Sequence, residues 1–485
     1  MILERFYDEA LAQASYLIAC PATGEALVVD PLRDVEPYLR YAQAHGLRIR
    51  HVTETHIHAD FVSGTRELAA RTGARVYLSD AGDEAWTYAF ASRDGATLLR
   101  DGDAVVVGRV RVQAIHTPGH TPEHLSFAVT DLAGGAEPFA VLTGDFLFAG
   151  DVGRPDLLEK AAGQRGTTEA AARALFRSVQ RFRSLPDHWL VLPGHGAGSA
   201  CGKAIGGVPA TTLGYEKRFN WAFQIDDEDA FVAAALAGQP EPPKYFAQMK
   251  RINKEGPRVV GGVPRPPRLP DDQLAAVLRE GGWVIDTRPA AVVAQGHLPG
   301  TINLPLGRGF ATWAGWLVPY DRPFYLILEE ECDGCVDQAA RSLFLIGLDG
   351  LVGYFGARAI EAAVRHGATL ARIPAIEARE LAEGVARGDL AAVDVRGETE
   401  WAAGHVPGAV HIPLGYLVDR RAEVPRDRPV AVYCQSGGRS AIAASLLRAL
   451  GFERVVDVRG GFAAWRAQSY PVARPGGDAA LTIGG

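Results

Sequence analysis

A polar segment with two histidines stands in the N-terminal part of the chain and reads Thr55-His56-Ile57-His58-Ala59-Asp60. It directly follows residues 48–53, which have the pattern of a β-strand. Side chains that leave the C-terminal end of a strand lie at the edge of an α/β sheet where ligands bind. We therefore expect this segment to carry functional side chains.

Three further segments have the same character, because each comes just after an apolar run. They read Pro118-Gly119-His120-Thr121, Thr143-Gly144-Asp145 and Leu192-Pro193-Gly194-His195-Gly196. Neutral imidazoles and carboxylates gathered at four strand ends are donors that suit a borderline transition metal. The sequence therefore predicts a metal centre.

The surrounding sequence alternates strands with helices, which is typical of an α/β domain. We predict strands at residues 25–29, 48–53, 105–115 and 139–142, and helices at residues 35–44 and 65–71. The text between about 237 and 270 is rich in Pro and Gly, as in a linker. We predict a first domain at 1–258 and a linker at 259–270.

The part of the chain after the linker repeats itself. Asp286-Thr287-Arg288 and Asp394-Val395-Arg396 are 108 positions apart, and so are His297 and His405 in their Gly-His-x-Pro-Gly segments. Such self-similarity indicates two copies of one structural unit. We predict two domains, at 271–368 and 374–474, each a parallel sheet with covering helices, followed by a tail at 475–485.

Composition excludes several classes of protein. The chain has 485 residues, enough for roughly two to four domains. A net charge of -7 gives no basic excess for nucleic acid or an anionic membrane. Apolar runs long enough for a membrane span and a signal peptide are absent, and the five cysteines are scattered. We expect a cytoplasmic protein whose partner is a small molecule or another protein.

A cysteine loop marks the last domain. Residues 429–433 read as a buried strand, which ends at Cys434-Gln435-Ser436-Gly437-Gly438-Arg439-Ser440, and a helix is expected at 441–450. Backbone N–H groups of such a loop, beside a helix N-terminus, form an anion cradle that should lower the pKa of Cys434. A thiolate of this kind can carry a sulfane sulfur as a persulfide.

A cysteine phosphatase uses the same strand, loop and helix and is the alternative for this segment. Those phosphatases have five residues between Cys and Arg, whereas four separate Cys434 from Arg439 here. The tighter ring suits a single sulfur better than a phosphate group. Sulfur transfer is favoured over phosphate hydrolysis.

The middle domain keeps the frame of the repeat but loses this chemistry. Aligning Arg322-Pro323 with Arg428-Pro429 places Leu328 opposite Cys434, followed by three glutamates. Carboxylates repel an anionic substrate, so we interpret this copy as non-catalytic. Its Cys332-x-x-Cys335 pair lacks the second pair that a zinc site needs, and a disulfide is the alternative.

The histidine motifs resemble those of the metallo-β-lactamase superfamily, whose binuclear hydrolases have His-x-His-x-Asp-His. Phe61 takes the last position here, which removes a ligand of the second metal. Within the superfamily, the segments 54–64, 143–148 and 153–156 resemble the persulfide dioxygenases. That resemblance implies one Fe(II) per chain, held by His56, His120 and Asp145.

The same resemblance implies roles for other residues. His58, Asp60 and His195 would orient the ligands or hydrogen-bond to bound oxygen. Arg154, and with it Lys217 and Arg218, would contact the carboxylates of a thiol carrier, since guanidinium groups pair well with carboxylates. The alternative for these three cations is surface charge.

The last domain resembles the rhodaneses through its cysteine loop, Asp394-x-Arg396, residues 404–408 and Gly460-Gly461-Phe-Ala-Ala-Trp465. The resemblance implies Cys434 and Arg439 as catalytic residues. It also implies that Gln435, Ser436, Gly437 and Gly438 bind the substrate. Together, the resemblances cover nearly the whole chain and imply an αββα sandwich followed by two rhodanese-like α/β domains.

The implied activity is oxidation of a low-molecular-weight persulfide, such as glutathione persulfide, with O₂ to sulfite and thiol. Cys434 would then form or use thiosulfate. One alternative is a thioester hydrolase of the glyoxalase II type with two metals. A second alternative makes the rhodanese pair a non-catalytic docking module. The carrier thiol, the direction of sulfur transfer and the formation of homo-oligomers are left open.

Overall fold

The structure is a computed structural model that describes residues 1–160, 166–239 and 241–475. The chain divides into two compact units. The first is Met1–Pro264 with Phe344–Gly347, and the second is Arg265–Leu343 with Leu348–Gly485. The division at residue 264 falls within the predicted linker 259–270. Most of the predicted tail, residues 476–485, lies outside the described residues.

The first sheet of the N-terminal unit has six described strands in sequence order. They are β1 (Ile2–Asp8), β2 (Gln13–Cys20), β3 (Glu25–Val29), β4 (Arg48–Thr53), β5 (Arg75–Ser79) and β6 (Thr97–Leu99). β1 to β3 pair antiparallel, whereas β3 to β6 pair parallel. The change of direction follows from the connections, since a helix separates β3 from β4 and a short turn separates β2 from β3.

The second sheet of this unit has the described strands in reverse sequence order. They are β7 (Ala104–Val107), β8 (Val110–His116), β9 (Leu125–Asp131), β10 (Ala140–Gly144), β11 (Leu190–Pro193) and β12 (Thr211–Thr212). The single strand predicted at 105–115 is wrong. Gly108, with a φ of +58°, turns the chain, so that β7 and β8 form an antiparallel hairpin.

Helices cover the outer faces of both sheets. They are α1 (Glu36–Ala44), α2 (Thr65–Thr72), α3 (Leu157–Lys160), α4 (Thr168–Arg183), α5 (Leu213–Phe219), α6 (Glu228–Leu236) and α7 (Phe246–Glu255). One core joins the sheets face to face, with Tyr16 and Ile18 of β2 packing with Phe127 of β9. Two outer cores hold α1 and α2 on one sheet and α4 on the other. The predicted αββα sandwich is confirmed.

The first sheet of the C-terminal unit is parallel, with strand order β14-β13-β15-β16. Its strands are β13 (Trp283–Asp286), β14 (Thr301–Asn303), β15 (Phe324–Leu328) and β16 (Leu351–Gly356). The helices of this copy are α8 (Leu274–Arg279), α9 (Ala290–Gln295), α10 (Phe310–Leu317), α11 (Cys335–Leu345) and α12 (Arg358–Arg365).

The last sheet is also parallel, with order β17-β21-β20-β18-β19. Its strands are β17 (Ala375–Ile376), β18 (Ala391–Asp394), β19 (Val410–His411), β20 (Val430–Tyr433) and β21 (Val455–Val458). Its helices are α13 (Ala378–Arg387), α14 (Glu398–Ala403), α15 (Gly438–Ala449) and α16 (Gly461–Ala467). The order β19-β18-β20-β21 repeats that of the middle copy, as the sequence repeat predicts.

Both copies contain the same buried ion pair. Arg288 binds Asp286 with Nη2 to Oδ2 at 2.6 Å, and Arg396 binds Asp394 in the same way at 2.6 Å. Each arginine also donates to the carbonyl of the glycine eight residues later. A bidentate pair of this type orients both side chains, so the Asp-x-Arg motif holds the frame of each copy.

No helix among the described residues is long and apolar enough to cross a lipid bilayer.

We predict that Gly415 is required for the packing of Trp316. A Cβ at position 415 would lie 2.1 Å from the Trp316 ring, while one at Gly307 would meet no atom within 4 Å. Overpacking costs about 1–3 kcal/mol, so Gly415→Ala should lower the melting temperature of the C-terminal unit. Calorimetry should show no such shift for Gly307→Ala, and equal melting curves for the two variants would contradict the packing.

Candidate metal centre and sulfur site

The four predicted histidine and aspartate segments meet at one edge of the N-terminal sandwich. The loop after β4 brings His56, the loop before β9 brings His120, and Asp145 follows β10. All three side chains are buried, and their ligand atoms lie within 4.8 Å of one another. The Nε2 atoms of His56 and His120 lie 3.8 and 3.5 Å from Asp145 Oδ2.

Hydrogen bonds on the far side of each ring aim the Nε2 atoms at Asp145. Thr55 Oγ1 donates to Asp30 at 2.9 Å and therefore accepts from His56 Nδ1, also at 2.9 Å. His120 Nδ1 donates to the backbone carbonyl of Arg154 at 3.1 Å. Asp145 Oδ2 is buried and lacks a hydrogen-bond partner among the described residues. Such an oxygen, facing two imidazole nitrogens, fits a metal cation.

The protonation of these rings suits metal binding. Burial lowers the pKa of His56 well below its usual value, with the nearby His58 adding to the effect. Burial also lowers the pKa of His120, although Asp145 opposes the change. Neutral rings present the free lone pair that a metal ligand requires.

A second buried group lies beside the first and consists of Asp60, His195 and Cys201. His195 Nδ1 lies 2.7 Å from Asp145 Oδ1, and its Nε2 lies 2.7 Å from Asp60 Oδ2. Burial alone would lower the pKa of His195, but Asp145 and Asp60 raise it well above the usual value. Burial raises the pKa of the Cys201 thiol. Both ring nitrogens of His195 thus lie within hydrogen-bond distance of a carboxylate.

His58 and Phe61 lie outside both groups. His58 Nε2 is 3.1 Å from Asp30, and the ring packs on Phe61 with centroids 4.4 Å apart. Burial alone would lower the pKa of His58, but Asp30 raises it to about 9. Phe61 therefore has no ligand atom to add to the group of Asp60, His195 and Cys201.

Arg154, which the resemblance assigns to a carrier contact, has a buried side chain. Its side chain is 0% exposed, and the guanidinium binds Asp156 through two contacts of 2.7 Å. Its Nη1 donates to the carbonyl of Ala200 at 3.2 Å. The sequence pattern did not predict that an acid two residues away would bind this arginine. Arg154 therefore holds the backbone that orients His120.

The other two predicted carrier contacts lie on α5. Lys217 binds Asp187 at 2.7 Å and the carbonyl of Leu185, so its ammonium group already has acceptors. Arg218 is exposed.

The second site is built around Cys434, which follows β20. Its Sγ accepts a hydrogen bond from Gly437 N–H at 3.1 Å. Gly437 has a φ of +115°, which favours glycine, and α15 begins at Gly438, three residues before the predicted start. The helix begins earlier because the glycine turn itself leads into it. Gln435 and Ser436 are exposed on the same loop.

Two elements fix this loop from outside. Arg439 donates to both oxygens of Glu400 at 2.6 and 2.8 Å, a partner that sequence reasoning missed because it lies on α14. Phe462 N–H donates to the carbonyl of Cys434 at 2.7 Å. A Cβ at Gly461 would lie 2.2 Å from that carbonyl oxygen, which explains the Gly460-Gly461 pair.

The corresponding loop of the middle copy has no nucleophile. Leu328 is buried at the end of β15, at the position that aligns with Cys434. Glu330 binds Arg268 at 2.6 Å. Cys332 and Cys335 form a disulfide, as in the alternative stated for this pair.

Comparison with known proteins agrees with this architecture. Residues 8–195 match the Metallo-beta-lactamase superfamily, and residues 377–468 match the Rhodanese-like domain. A hydroxyacylglutathione hydrolase of Polaromonas sp. is 30% identical over 53% of this chain and 100% of its own length. A sulfurtransferase of Allochromatium vinosum is 39% identical over 18% of this chain and 83% of its own length.

A solved structure is also similar. The crystal structure of a metallo-beta-lactamase from Staphylococcus aureus is 39% identical in sequence, with a TM-score of 0.65, and the match covers 73% of this chain and 99% of that chain. These matches join a metal-binding fold to a sulfurtransferase-type domain. The chain therefore belongs to the metallo-beta-lactamase superfamily and carries a rhodanese-like domain in its C-terminal part.

Proposed function

We propose that the N-terminal unit is a mononuclear Fe(II) persulfide dioxygenase and that Cys434 transfers sulfane sulfur. The first half rests on one observation. His56, His120 and Asp145 form a set of metal-ligand donors, while hydrogen bonds already occupy His195 in the neighbouring group. Phe61 supplies no ligand there, and His195 is bound to two carboxylates through both ring nitrogens. The net reaction converts R–S–SH, O₂ and water into R–SH and sulfite with two protons.

His56, His120 and Asp145 would hold Fe(II), which would supply binding positions for O₂ and for the persulfide sulfur. The chain's own groups prepare that site. Thr55 and the Arg154 carbonyl fix the two imidazole tautomers. The His195 cation donates to Asp145 Oδ1 and so leaves Oδ2 for the metal. The Phe61 ring packs against the His58 ring and presents an apolar surface there.

The second half of the proposal concerns sulfite and Cys434. Cys434 Sγ attacks the terminal sulfur of a persulfide, the carrier leaves as its thiolate, and Cys434–S–SH forms. Sulfite then attacks the outer sulfur, the S–S bond breaks, and thiosulfate leaves while Cys434 regains its thiolate. The partners proposed here are therefore O₂, a small persulfide or thiol, sulfite and thiosulfate. The same steps run backwards if thiosulfate is the donor.

A thioester hydrolase with two metals is the second candidate. The buried group of Asp60, His195 and Cys201 favours it, as does the name of the Polaromonas relative. For this function, His195 would have to bind the second metal, so a hydrogen bond between its ring and Asp60 or Asp145 would have to break. The number of metals per chain separates the two candidates.

We predict one iron per chain and loss of iron in His120→Ala. Removing a ligand should cost more than the roughly 10- to 100-fold loss of affinity seen when a ligand's hydrogen-bond partner is removed. Elemental analysis and O₂ uptake with defined persulfides measure both effects. His188→Ala, which changes an exposed histidine, should keep iron and activity. Two metals per wild-type chain would favour the hydrolase.

We predict that Arg154→Ala acts on stability. It removes the guanidinium that makes both 2.7 Å contacts to the buried Asp156 carboxylate, and breaking a buried ion pair typically costs about 3–5 kcal/mol in unfolding free energy. Lys217→Ala, in an exposed pair, should change little. Chemical denaturation measures the difference. An unchanged unfolding free energy with a raised KM for one persulfide would instead make Arg154 a direct carrier contact.

We predict that Cys434→Ser separates the two activities. The variant should lose sulfurtransferase activity and the mass gain of one sulfur, while O₂ uptake continues and sulfite accumulates instead of thiosulfate. Cys332→Ser and Cys335→Ser should keep both reactions. Thiosulfate formation at the wild-type rate in Cys434→Ser would refute the assignment to this cysteine.

A further inference from the structure

A pocket of about 360 Å³ lies beside Cys434 within the C-terminal unit. The middle copy supplies much of its wall, although Leu328 occupies its position equivalent to Cys434. The apolar part of the lining consists of Ala290, Leu304, Pro305, Phe310, Trp313 and Ile442. A substrate that reaches Cys434 from this pocket thus contacts aliphatic and aromatic surface from both copies.

The wall is held in place by direct contacts between the copies. The N–H of Asn303, the last residue of β14, donates to Ser445 Oγ of α15 at 2.7 Å, and both residues are buried. Trp316 of α10 packs against the backbone at Gly415 and edge-on to Tyr416, with centroids 5.4 Å apart. Leu304 directly follows β14, and Trp313 lies on α10. The wall is therefore preformed.

The charge of the pocket is nearly balanced. Arg439 is the one charged side chain among the described residues that line it. Both of its contacts to Glu400 are short, at 2.6 and 2.8 Å, and Glu400 also accepts from Gly397 N–H at 3.1 Å. The neighbouring Arg396 binds Asp394. A dianion such as thiosulfate would meet a guanidinium whose charge is already matched.

We propose that this pocket selects a sulfane donor with an apolar group next to the reacting sulfur and at most one negative charge, in preference to thiosulfate. The inference rests on the proposed sulfur transfer. In it, the side chains that the middle copy contributes to the pocket determine which donor reaches Cys434. Cys434 Sγ bonds to the sulfane sulfur of R–S–SH, the carrier S–S bond breaks, and its electron pair leaves with R–S⁻. No net oxidation occurs, and the proton stays on the transferred sulfur.

The test uses the full chain under anaerobic conditions with three sulfane donors. Methanethiosulfonate and benzenethiosulfonate share one reacting group and one charge but differ in apolar size, and thiosulfate is the dianion. Cys434 bonds to the sulfane sulfur and the sulfinate leaves with the electron pair. Intact-protein mass measures the rate at which one sulfur is gained, with Cys434→Ser as the blank.

We expect benzenethiosulfonate to load Cys434 about 10-fold or more faster than methanethiosulfonate, the scale of apolar pocket selectivity, and thiosulfate to be slowest. Trp313→Ala should remove the advantage of the benzene group. Thr312→Ala, on the same helix but outside the lining, should keep it. Trp313→Arg adds a cation, and Glu400→Gln frees Arg439 while keeping an acceptor for Gly397. Both should raise the rate with thiosulfate relative to benzenethiosulfonate by about 10-fold.

Several results would overturn the inference. Equal loading by the two thiosulfonates, a preference for thiosulfate, or a Trp313→Ala variant with unchanged donor ratios in a folded protein would each reject the apolar wall. Melting curves of Trp313→Ala and Trp313→Arg identify a loss of fold, and Glu400→Gln tests the charge argument independently. If no donor adds sulfur to Cys434, the proposed sulfur transfer itself fails.

Discussion

The Asp145 carboxylate is the group on which the metal centre depends. One oxygen takes a hydrogen bond from His195, and the other faces His56 and His120. A buried carboxylate is unfavourable unless cations or donors surround it, so His195 and a metal held by His56 and His120 would stabilise the same charge. The residues at the four strand ends therefore meet around one buried negative charge, which must be compensated.

The glycines of the histidine motifs follow from the crowding around this carboxylate. A Cβ at Gly153 would lie 1.8 Å from the Asp145 carbonyl oxygen, and one at Gly194 would lie 2.9 Å from Asp145 Oδ1. The backbone of two loops can approach Asp145 only where side chains are absent. The motif glycines thus explain how His195 and the Arg154 carbonyl both come within reach of the centre.

Sequence reasoning succeeded where function follows from position along a strand. The ends of β3 and β4 and the sites just after β10 and β20 were predictable, because alternation and polar loops are local signals. The β7–β8 hairpin was missed, since valines stand on both sides of Gly108 and Arg109 and the whole stretch has the pattern of one strand. The partner of Arg439 and the approach of Cys201 to His195 depend on tertiary contacts that spacing does not encode.

The internal repeat separates structural motifs from chemical ones within a single chain. Both copies keep the Asp-x-Arg ion pair and the same strand order, yet Leu328 replaces the cysteine in the middle copy. The ion pair is therefore explained by packing alone, and the chemistry must lie in what differs. What differs is Cys434, the glycine turn and the Arg439–Glu400 pair.

The geometry of His195 gives the physical reason to prefer one metal. Ionised carboxylates only accept hydrogen bonds, so a ring with both nitrogens 2.7 Å from carboxylates must donate from both and carry a positive charge. A metal at Asp60, His195 and Cys201 would have to displace that proton and the buried thiol proton of Cys201, and would break a 2.7 Å contact. His56 and His120 carry no such cost, because their Nδ1 atoms hold the hydrogen and their Nε2 atoms already face Asp145. The first group is thus prepared for a cation, while the second already contains one.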